Sequence, residues 1–408
     1  MKPTKLECIN CKNQLDLGIH YYCPACGFPL EVIFSCSEDD KGNLYSKIGK
    51  GIWKYKSISS LVEKKYQISL GEGDTPLLQL KRLDKKHGTT NLFVKNEGQN
   101  PTGSFKDRPT SLGISYALSQ NIDHVIISST GNAGGALSAY AAAAGLTAIV
   151  LVPQGIPQEK LTQIAIHGAK IIQIRGSVSD SLNLGREISK NYGWLNLTST
   201  FLNPYPVVAN RTVAFEIFEE MKEVPDWIVV PVGVGPLLVG IYRGFEELKQ
   251  RNITKKLPRM VAAQAEQCAP IFEAFLNDSS NVREWTNNVN TIASGISDPL
   301  IGYENDGTFT LRIVKESKGI VTKSSEKEIR ESCELLANQE GIFCEPTSAV
   351  AHSALSQIKS QSSFKTDQSI VLILTGHGLK QQTIFSKSFP LNNPIEATLT
   401  DFDRFYFK

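Results

Sequence analysis

Short apolar runs alternate with amphipathic or alanine-rich stretches over most of the chain from about residue 68 onward. The clearest stretch predicts, in order, a strand, a helix, a strand, a helix and a strand: HVIISS (124–129), AGGALSAYAAAAG (133–145), LTAIVLVP (146–153), EKLTQIAIHGA (159–169) and KIIQIRG (170–176). The β-branched runs are typical of buried strands, and a glycine ends the alanine-rich helix. This order predicts a parallel sheet with helices on both faces.

The same pattern recurs in the second half of the chain, in WIVVPVGVGPLLVGIYRGFEELK (227–249) and SIVLILTGHG (369–378). The predicted fold class is therefore α/β, with two doubly wound parallel-sheet lobes. Ligands of such sheets bind outside the carboxyl ends of the strands. The turns that follow predicted strands are thus the places to look for chemistry.

Length and composition narrow the classes of function without choosing one. A chain of 408 residues is long enough for two or three domains, and its 41% apolar and 21% charged residues are ordinary for a globular protein. A net charge of +2, with no basic run interleaved with aromatics, gives no reason to expect nucleic acid. No apolar stretch reaches membrane-spanning length, and MKPTKLECINCKNQ lacks the apolar core of a secretory signal. We expect a cytoplasmic protein that binds no membrane.

Four of the eight cysteines form two CxxC pairs near the N-terminus, namely Cys8, Cys11, Cys23 and Cys26. Each pair can clasp one side of a tetrahedral Zn²⁺, and four thiolates leave no open position for catalysis. The pattern predicts a small ribbon around a structural zinc ion. The alternatives are a metal-free reduced segment or redox pairs, although a redox role needs a βαβ context that this segment lacks.

The first turn of interest is VKNEGQNPTGSFKDRP (94–109), which follows the predicted strand NLFVK (91–95). Lys106 opens the next helix beside the aromatic Phe105. The positive end of a helix dipole lowers the pKa of an ammonium group and favours the free amine that an imine needs. Taken alone, Lys106 is also compatible with an ordinary surface lysine at a helix start.

Three further turns offer groups that can bind a ligand. SSTGNAGGA (128–136) places hydroxyls, an asparagine and backbone N–H groups before a helix, an arrangement that suits a carboxylate, or simply a well-capped helix. PVGVGPLLVG (231–240) lets the backbone approach a phosphate, although Pro236 removes one N–H donor. LTGHG (374–378) offers the Thr375 hydroxyl to a ring nitrogen.

Together and in this order, the four turns resemble threonine synthase and its relatives among the fold-type II pyridoxal-phosphate enzymes. The resemblance runs from LGEGDTPL at residue 70 to LTGHGLK at residue 380 and includes NPTGSFKDR (100–108) and EGIFCEPTSA (340–349). It implies a pyridoxal 5'-phosphate cofactor, an amino-acid substrate and a homodimer. Some members of this group also carry a zinc ribbon before the catalytic domains.

The resemblance assigns roles to individual residues. Lys106 is the lysine that carries the cofactor as a Schiff base, Asn132 faces the phenolic oxygen of the cofactor, and Thr375 faces its pyridine nitrogen. The remaining expected cofactor-binding residues are Phe105, Gly233, Val234, Gly235 and Leu237. The expected substrate-binding residues are Ser129, Thr130, Gly131, Ala133 and Arg211. Glu345 and Ser348 are expected to shape the same pocket, or else to cap a helix.

Departures from the family pattern lie on the substrate side. Pro206 stands where threonine synthases have an arginine, Ala133 where Thr or Ser is common, and Pro109 where glycine is usual. Losing an arginine that binds a doubly charged phosphate is costly, and Arg211 is the expected substitute. The segment ISDPLIGYENDG (296–307) also departs from the family, and we expect it to shape a pocket or an interface.

Three functions remain open from the sequence. The first is conversion of O-phosphohomoserine and water to threonine and phosphate, and the second is elimination or β-replacement on serine, threonine, phosphoserine or a diamino acid. The third is a catalytically silent relative that binds a ligand or partner. The expected domains are a zinc ribbon at 1–45, a large cofactor-binding domain at 46–95 and 205–408, and a small α/β domain at 96–204.

Overall fold

The structure is a computed structural model, and it describes residues 1–46, 49–129, 131–156, 158–176, 178–385 and 394–407. The expected substrate residue Thr130 therefore lies outside the described residues. The strands within these ranges form three sheets, with 3, 6 and 4 strands. Within the described ranges, no helix combines the length and the apolar character that a membrane crossing needs.

The N-terminal sheet consists of three antiparallel strands in the order β2-β1-β3. Their bounds are β1 (Lys2–Cys8), β2 (Gln14–Leu15) and β3 (Leu30–Ser35). Leu6 and Cys8 of β1 and Leu30 and Val32 of β3 are buried, because side chains alternate between the two faces of a strand and this face packs inward. We call residues 1–35 the cysteine ribbon.

The largest sheet has the strand order β12-β11-β10-β13-β5-β4, and all its pairs are parallel except β4 with β5. Its strands are β4 (Leu77–Gln79), β5 (Leu92–Asn96), β10 (Trp227–Pro231), β11 (Arg259–Ala265), β12 (Ile320–Ser324) and β13 (Ile370–Leu374). Every residue of β10 and β13 is buried, as expected for strands covered on both faces.

The third sheet is parallel throughout, in the order β8-β7-β6-β9. Its strands are β6 (His124–Ser128), β7 (Thr147–Pro153), β8 (Lys170–Ile174) and β9 (Leu195–Asn196). The first three coincide with the runs HVIISS, LTAIVLVP and KIIQIRG. The helix between β6 and β7 ends at Gly145, which adopts the left-handed conformation that closes a helix (φ 70°). The predicted α/β fold class is confirmed.

Fifteen helices connect and cover these sheets within the described ranges. They are α1 (Lys56–Ser59), α2 (Lys81–His87), α3 (Asp107–Ser119), α4 (Asn132–Ala144), α5 (Gln158–Ile166), α6 (Val178–Tyr192), α7 (Pro204–Ala209), α8 (Arg211–Met221), α9 (Pro236–Gln250), α10 (Pro270–Leu276), α11 (Glu304–Glu316), α12 (Glu326–Glu340), α13 (Pro346–Ser353), α14 (Leu355–Lys359) and α15 (Leu399–Tyr406). The turns singled out in the sequence lie at the starts of α3, α4 and α9 and at the end of β13.

Candidate active site

Lys106 lies directly before α3, in a segment that is bound to the end of β13. The N–H of Phe105 donates to the carbonyl oxygen of Thr375 at 3.0 Å, and the N–H of His377 donates to that of Gly103 at 2.9 Å. Gly103 has a φ of 83°, in the left-handed region that favours glycine. Two turns that are far apart in sequence therefore form one unit, and this unit fixes where Lys106 points.

The amine of Lys106 is poorly solvated and has one close polar partner. Its Nζ lies 2.5 Å from Ser199 Oγ and 4.4 Å from the centre of the Phe105 ring. Burial removes water from the ammonium group and lowers the pKa of Lys106 to about 8, although the negative charge of Asp298 acts in the opposite direction. Near neutral pH a much larger fraction of this amine is therefore unprotonated than of an ordinary exposed lysine, and the unprotonated form is the one that acts as a nucleophile or proton acceptor.

A small cavity lies beside Lys106. It is lined by Phe105, Lys106, Pro109, Thr110, Ile127, Ala133, Leu197, Thr198, Ser199, Thr200, Asn203, Pro206, Val207, Asn210 and Pro236. The three positions that depart from the family pattern, Pro109, Ala133 and Pro206, all belong to this lining. These three departures from the family pattern therefore lie around the same cavity.

Asn132, the first residue of α4, forms a partly buried pair with Glu345. Its Nδ2 donates to Glu345 Oε2 at 2.8 Å. Burial raises the pKa of Glu345 to about 7, although the bond from Asn132 and the charge of Lys380 oppose the rise. A Cβ on Gly376 would overlap Oε2 of Glu345, so a larger residue there would displace this carboxylate. Glu345 thus reaches the same corner as Asn132 and the end of β13.

The end of β13 also presents a buried pair of hydroxyl groups. Thr375 Oγ1 lies 3.1 Å from Ser348 Oγ, and the N–H of Gly376 donates to Ser348 Oγ at 2.9 Å. Both side chains are buried. The bond from Gly376 fixes the Ser348 hydroxyl next to Thr375, so the two hydroxyls form one neutral polar patch.

The turn between β10 and α9 has a backbone shape that requires glycine. Gly235 has a φ of 120°, and a Cβ on it would overlap the side chain of Thr310. Thr310 Oγ1 donates to the carbonyl oxygen of Val234 at 2.7 Å, and Asn210 Nδ2 donates to that of Pro236 at 3.1 Å. These bonds hold the turn against the N-terminus of a 15-residue helix, where backbone N–H groups attract an anion.

The comparisons with known proteins agree with this arrangement. The family model described as pyridoxal-phosphate dependent enzyme matches residues 68–376. The chain belongs to this family. It is 36% identical to the threonine synthase of Methanocaldococcus jannaschii over 92% of both chains, and 36% identical to that of Methanosarcina acetivorans over 93% of both. These relatives identify a pyridoxal-phosphate-dependent lyase of the threonine-synthase type, which favours an enzyme over the silent alternative.

Solved structures support the fold of this pyridoxal-phosphate-dependent enzyme. Maize serine racemase superposes with a TM-score of 0.67 at 21% identity and covers 77% of this chain and 91% of its own. A threonine deaminase from T.th. superposes with a TM-score of 0.63 at 22% identity and covers 74% and 92%. The predicted fold-type II architecture is therefore confirmed.

The enzyme's expected substrate residues are only partly brought together. Ser129 Oγ accepts hydrogen bonds from the N–H groups of Gly131 (3.3 Å) and Gly134 (3.2 Å), so its hydroxyl supports the start of α4. Gly131 is exposed beside Asn132, and Ala133 lines the cavity.

Arg211 is not among the described residues that line the cavity around Lys106. Its guanidinium pairs with Glu247 at 3.2 Å and lies 4.9 Å from the ring of Phe34 in the cysteine ribbon. Position 211 is the first residue of α8, and its side chain turns towards α9 and the ribbon. The structure therefore does not place Arg211 where it could replace the arginine missing at Pro206.

Two polar residues near Lys106 were not identified as site residues from the sequence. Ser199 belongs to the hydroxyl-rich run TSTF (198–201) after β9, which is a weak signal by itself. Asp298 lies close enough to influence the charge of Lys106, and its Oδ1 accepts bonds from the Tyr303 hydroxyl (2.6 Å) and the N–H of Leu300 (2.9 Å). Asp298 lies within ISDPLIGYENDG, the segment that we expected to shape a pocket or an interface.

The four cysteines of the ribbon do meet. Their sulfur atoms all lie within 4.8 Å of one another, and three of the distances are 3.4 Å (Cys8–Cys26 and Cys11–Cys26) and 3.6 Å (Cys11–Cys23). Four thiolates bound tetrahedrally to zinc at roughly 2.3 Å lie about 3.8 Å apart. The cluster has nearly the dimensions of such a site.

Proposed function

We propose that this enzyme converts O-phosphohomoserine and water to threonine and phosphate. The observation that carries the proposal is the partly desolvated Lys106 amine in a cavity at the strand ends, within a chain that matches threonine synthases over nine tenths of its length. Pyridoxal phosphate, when bound, supplies the electron sink that stabilises a carbanion at the substrate's α-carbon.

The described residues fit such a cofactor. The turn Gly233–Leu237 offers backbone N–H groups at the start of α9 to its phosphate, and no larger residue than glycine fits at position 235. The Thr375 hydroxyl, which is neutral, would face the pyridine nitrogen, and Asn132 would face the phenolic oxygen. Phe105 lies against the Lys106 amine that would hold the cofactor.

The remaining steps belong to side chains of this chain. The Lys106 amine would move protons at the substrate's α- and β-carbons, because its lowered pKa lets it both accept and return a proton. Ser199 holds Lys106 Nζ in place. Backbone N–H groups near Ser129 and Gly131 would bind the substrate carboxylate, and the apolar lining residues Ile127, Leu197 and Pro206 exclude water.

A second candidate is elimination or β-replacement on serine, threonine, phosphoserine or a diamino acid. It is favoured by the charge of the site, since Lys106 is the single cationic side chain among the described residues of the cavity lining. Pro206 cannot donate to a phosphate, Arg211 points away, and Asp298 adds a carboxylate near Lys106. A phosphorylated substrate normally requires more positive charge than this.

The test is a product assay on the purified, cofactor-loaded enzyme. With O-phosphohomoserine we expect inorganic phosphate and threonine in equal amounts. If neither product forms while serine, threonine, phosphoserine or 2,3-diaminopropionate is converted to a 2-oxo acid, the second candidate replaces the first. The absorbance band of the bound cofactor, recorded in the same samples, shows that the enzyme was loaded in either case.

We propose further that Cys8, Cys11, Cys23 and Cys26 hold a structural Zn²⁺, which the spacing of their sulfur atoms supports. About one zinc per chain is expected by elemental analysis, and a Cys23→Ser variant should lose it.

The domain division at 1–45, 46–95 with 205–408, and 96–204 is supported by which residues share a sheet. The homodimer and the cytoplasmic location stay proposals, and the homodimer rests on the family resemblance.

A further inference from the structure

The loop between the two cysteine pairs reaches the rear of the active-site cavity. We call residues 18–22 the ribbon loop, and residues 197–201 the cavity wall, because Leu197, Thr198, Ser199 and Thr200 line the cavity. Ser199 of this wall carries the hydroxyl that contacts Lys106 Nζ. Three residues of the ribbon loop, Gly18, Tyr21 and Tyr22, form hydrogen bonds to residues in or near this wall.

Tyr21 holds the residue that precedes the cavity wall. Its hydroxyl accepts a hydrogen bond from the N–H of Asn196 at 3.0 Å and lies 2.6 Å from Ser189 Oγ, which donates to the carbonyl oxygen of Trp194. Strand β9 is at the edge of its sheet, so no described strand lies beyond it to accept the N–H of Asn196. The Tyr21 hydroxyl takes that role.

Tyr22 holds the other end of the wall through a buried carboxylate. The hydroxyl of Tyr22 donates to Asp306 Oδ2 at 3.4 Å, and the same oxygen accepts the N–H of Phe201 at 3.0 Å. Asp306 is fully buried on α11. The last residue of the wall is therefore tied at once to the ribbon loop and to the large sheet's helices.

A third contact joins the ribbon loop to the elements that flank the wall. The N–H of Gly18 donates to the Tyr205 hydroxyl at 3.0 Å, and that hydroxyl donates back to the carbonyl oxygen of Gly18 at 3.1 Å. Tyr205, on α7, stacks on Tyr116 of α3 with ring centres 4.0 Å apart. Helix α3 is the helix that Lys106 precedes, so Tyr205 connects the ribbon loop to this helix.

We propose that the ribbon loop is a positioning element of the active site, in which Tyr21 and Tyr22 fix the two ends of the cavity wall. The inference rests on the proposed function in one respect, namely that the substrate binds in the cavity beside Lys106. Neither tyrosine lines the cavity, so both act through the backbone of residues 196–201. The ribbon thus affects substrate affinity, beyond any contribution to folding.

The test compares the cofactor-loaded wild type with Tyr21→Phe, with Tyr22→Phe and with the double variant. The matched control is Tyr192→Phe, which removes an exposed hydroxyl from α6. Hydrogen–deuterium exchange of peptides covering residues 195–201 reports on the wall directly. We expect exchange there to accelerate about tenfold in the double variant, since the loss of both hydroxyls lowers the local stability of this segment, and to stay unchanged in the control.

The second readout separates positioning from a purely structural role. The amino acid that shifts the wild type's cofactor band, chosen from O-phosphohomoserine, threonine and serine, is titrated into each protein. We expect about tenfold weaker binding in the double variant, with the cofactor content and the unliganded band unchanged.

Unchanged exchange at residues 195–201 would overturn the proposal, as would faster exchange with unaltered amino-acid affinity. Failure of the wild type to form threonine would instead overturn the proposed reaction. The exchange rate and the amino-acid affinity would still test whether the ribbon loop positions the cavity wall.

Discussion

Lys106 and Arg108 lie two residues apart at the start of one helix, and their surroundings shift the pKa of the two side chains in opposite directions. Arg108 is fully buried and bonds to both carboxylate oxygens of Glu97 (2.7 and 2.8 Å) and of Glu216 (2.6 and 2.7 Å). Burial alone would lower the pKa of Arg108, but the two carboxylates raise it well above its ordinary value. Lys106 has a single hydroxyl as its close partner, and burial lowers its pKa to about 8.

The comparison shows that burial by itself does not decide whether a basic group serves structure or chemistry. The same loss of water is compensated at Arg108 by two negative charges, and at Lys106 it is left mostly uncompensated. The pKa of Glu216 is set by the same two opposing effects. Burial would raise it, but the positive charges of Arg108 and Lys95 lower it to about 2. The paired network anchors α3, and the unpaired amine next to it remains reactive.

The largest expected effect follows from removing the reactive amine. Lys106→Ala should lower turnover by at least about a thousandfold, because both the attachment of the cofactor and the proton transfer are lost. The thermal midpoint of the cofactor-free protein should change little, since Lys106 makes one hydrogen bond. Turnover and thermal unfolding are measured beside Lys365→Ala, an exposed lysine. Retention of more than a tenth of the wild-type rate would refute the role of Lys106.

The second prediction removes the compensated charge. Arg108→Ala leaves Glu97 and Glu216 buried without their main partner, and this should destabilise the enzyme by about 3–5 kcal/mol. Urea unfolding measures the loss, with the exposed Arg82→Ala as the control. If the variant gives no soluble protein, Arg108→Lys, which keeps the charge and loses the bidentate geometry, should show a smaller loss of the same sign. A stable Arg108→Ala protein contradicts the comparison.

The third prediction sharpens the electrostatics of Lys106. Below its pKa of about 8, the rate at which cofactor-free enzyme takes up pyridoxal phosphate should fall as pH falls, because only the unprotonated amine reacts. Asp298 opposes the lowering of this pKa, so Asp298→Asn should move the midpoint to lower pH by roughly one unit. Stopped-flow absorbance gives the profile, and Asp278→Asn at an exposed site is the control. A midpoint that stays or rises would exclude this role of Asp298.

The smallest expected effect concerns Arg211, which like Arg108 has a carboxylate partner. Arg211→Ala should change the KM for O-phosphohomoserine by less than about threefold, because the residue pairs with Glu247 away from the cavity, and should cost about 1 kcal/mol of stability. Initial rates and urea unfolding test both parts. A tenfold rise in KM would return Arg211 to the substrate site expected from the sequence.

Much of the fold could be predicted because its central strands are continuous apolar runs. Strands β10 and β13 are entirely buried, as are the interior residues of β6 and β7, and such runs are recognisable without knowledge of their partners. The short edge strand β9 has two residues and no pattern of its own. Its place depends on pairing with β6 and on the Tyr21 hydroxyl, and both are distant in sequence.

The candidate site likewise contains residues that could be predicted from the sequence and residues that could not. Lys106, Asn132 and Thr375 lie in turns whose order and composition match a family, so roles could be predicted for them from the sequence. Ser199 is 93 residues from Lys106 and Asp298 lies on another lobe, and neither stands in a motif that indicates a role. Arg211 was placed by its position in the chain, but the direction of its side chain depends on Glu247 of the adjacent α9.

The most direct test of the central claim is to identify the lysine that carries the cofactor. The loaded enzyme is reduced with borohydride, digested, and its peptides are examined by mass spectrometry for the mass of a reduced phosphopyridoxyl group. We predict that the modification is found on Lys106, in the peptide that contains TGSFKDR. A modification on Lys95, Lys380 or any other lysine, with Lys106 unmodified, would contradict the account.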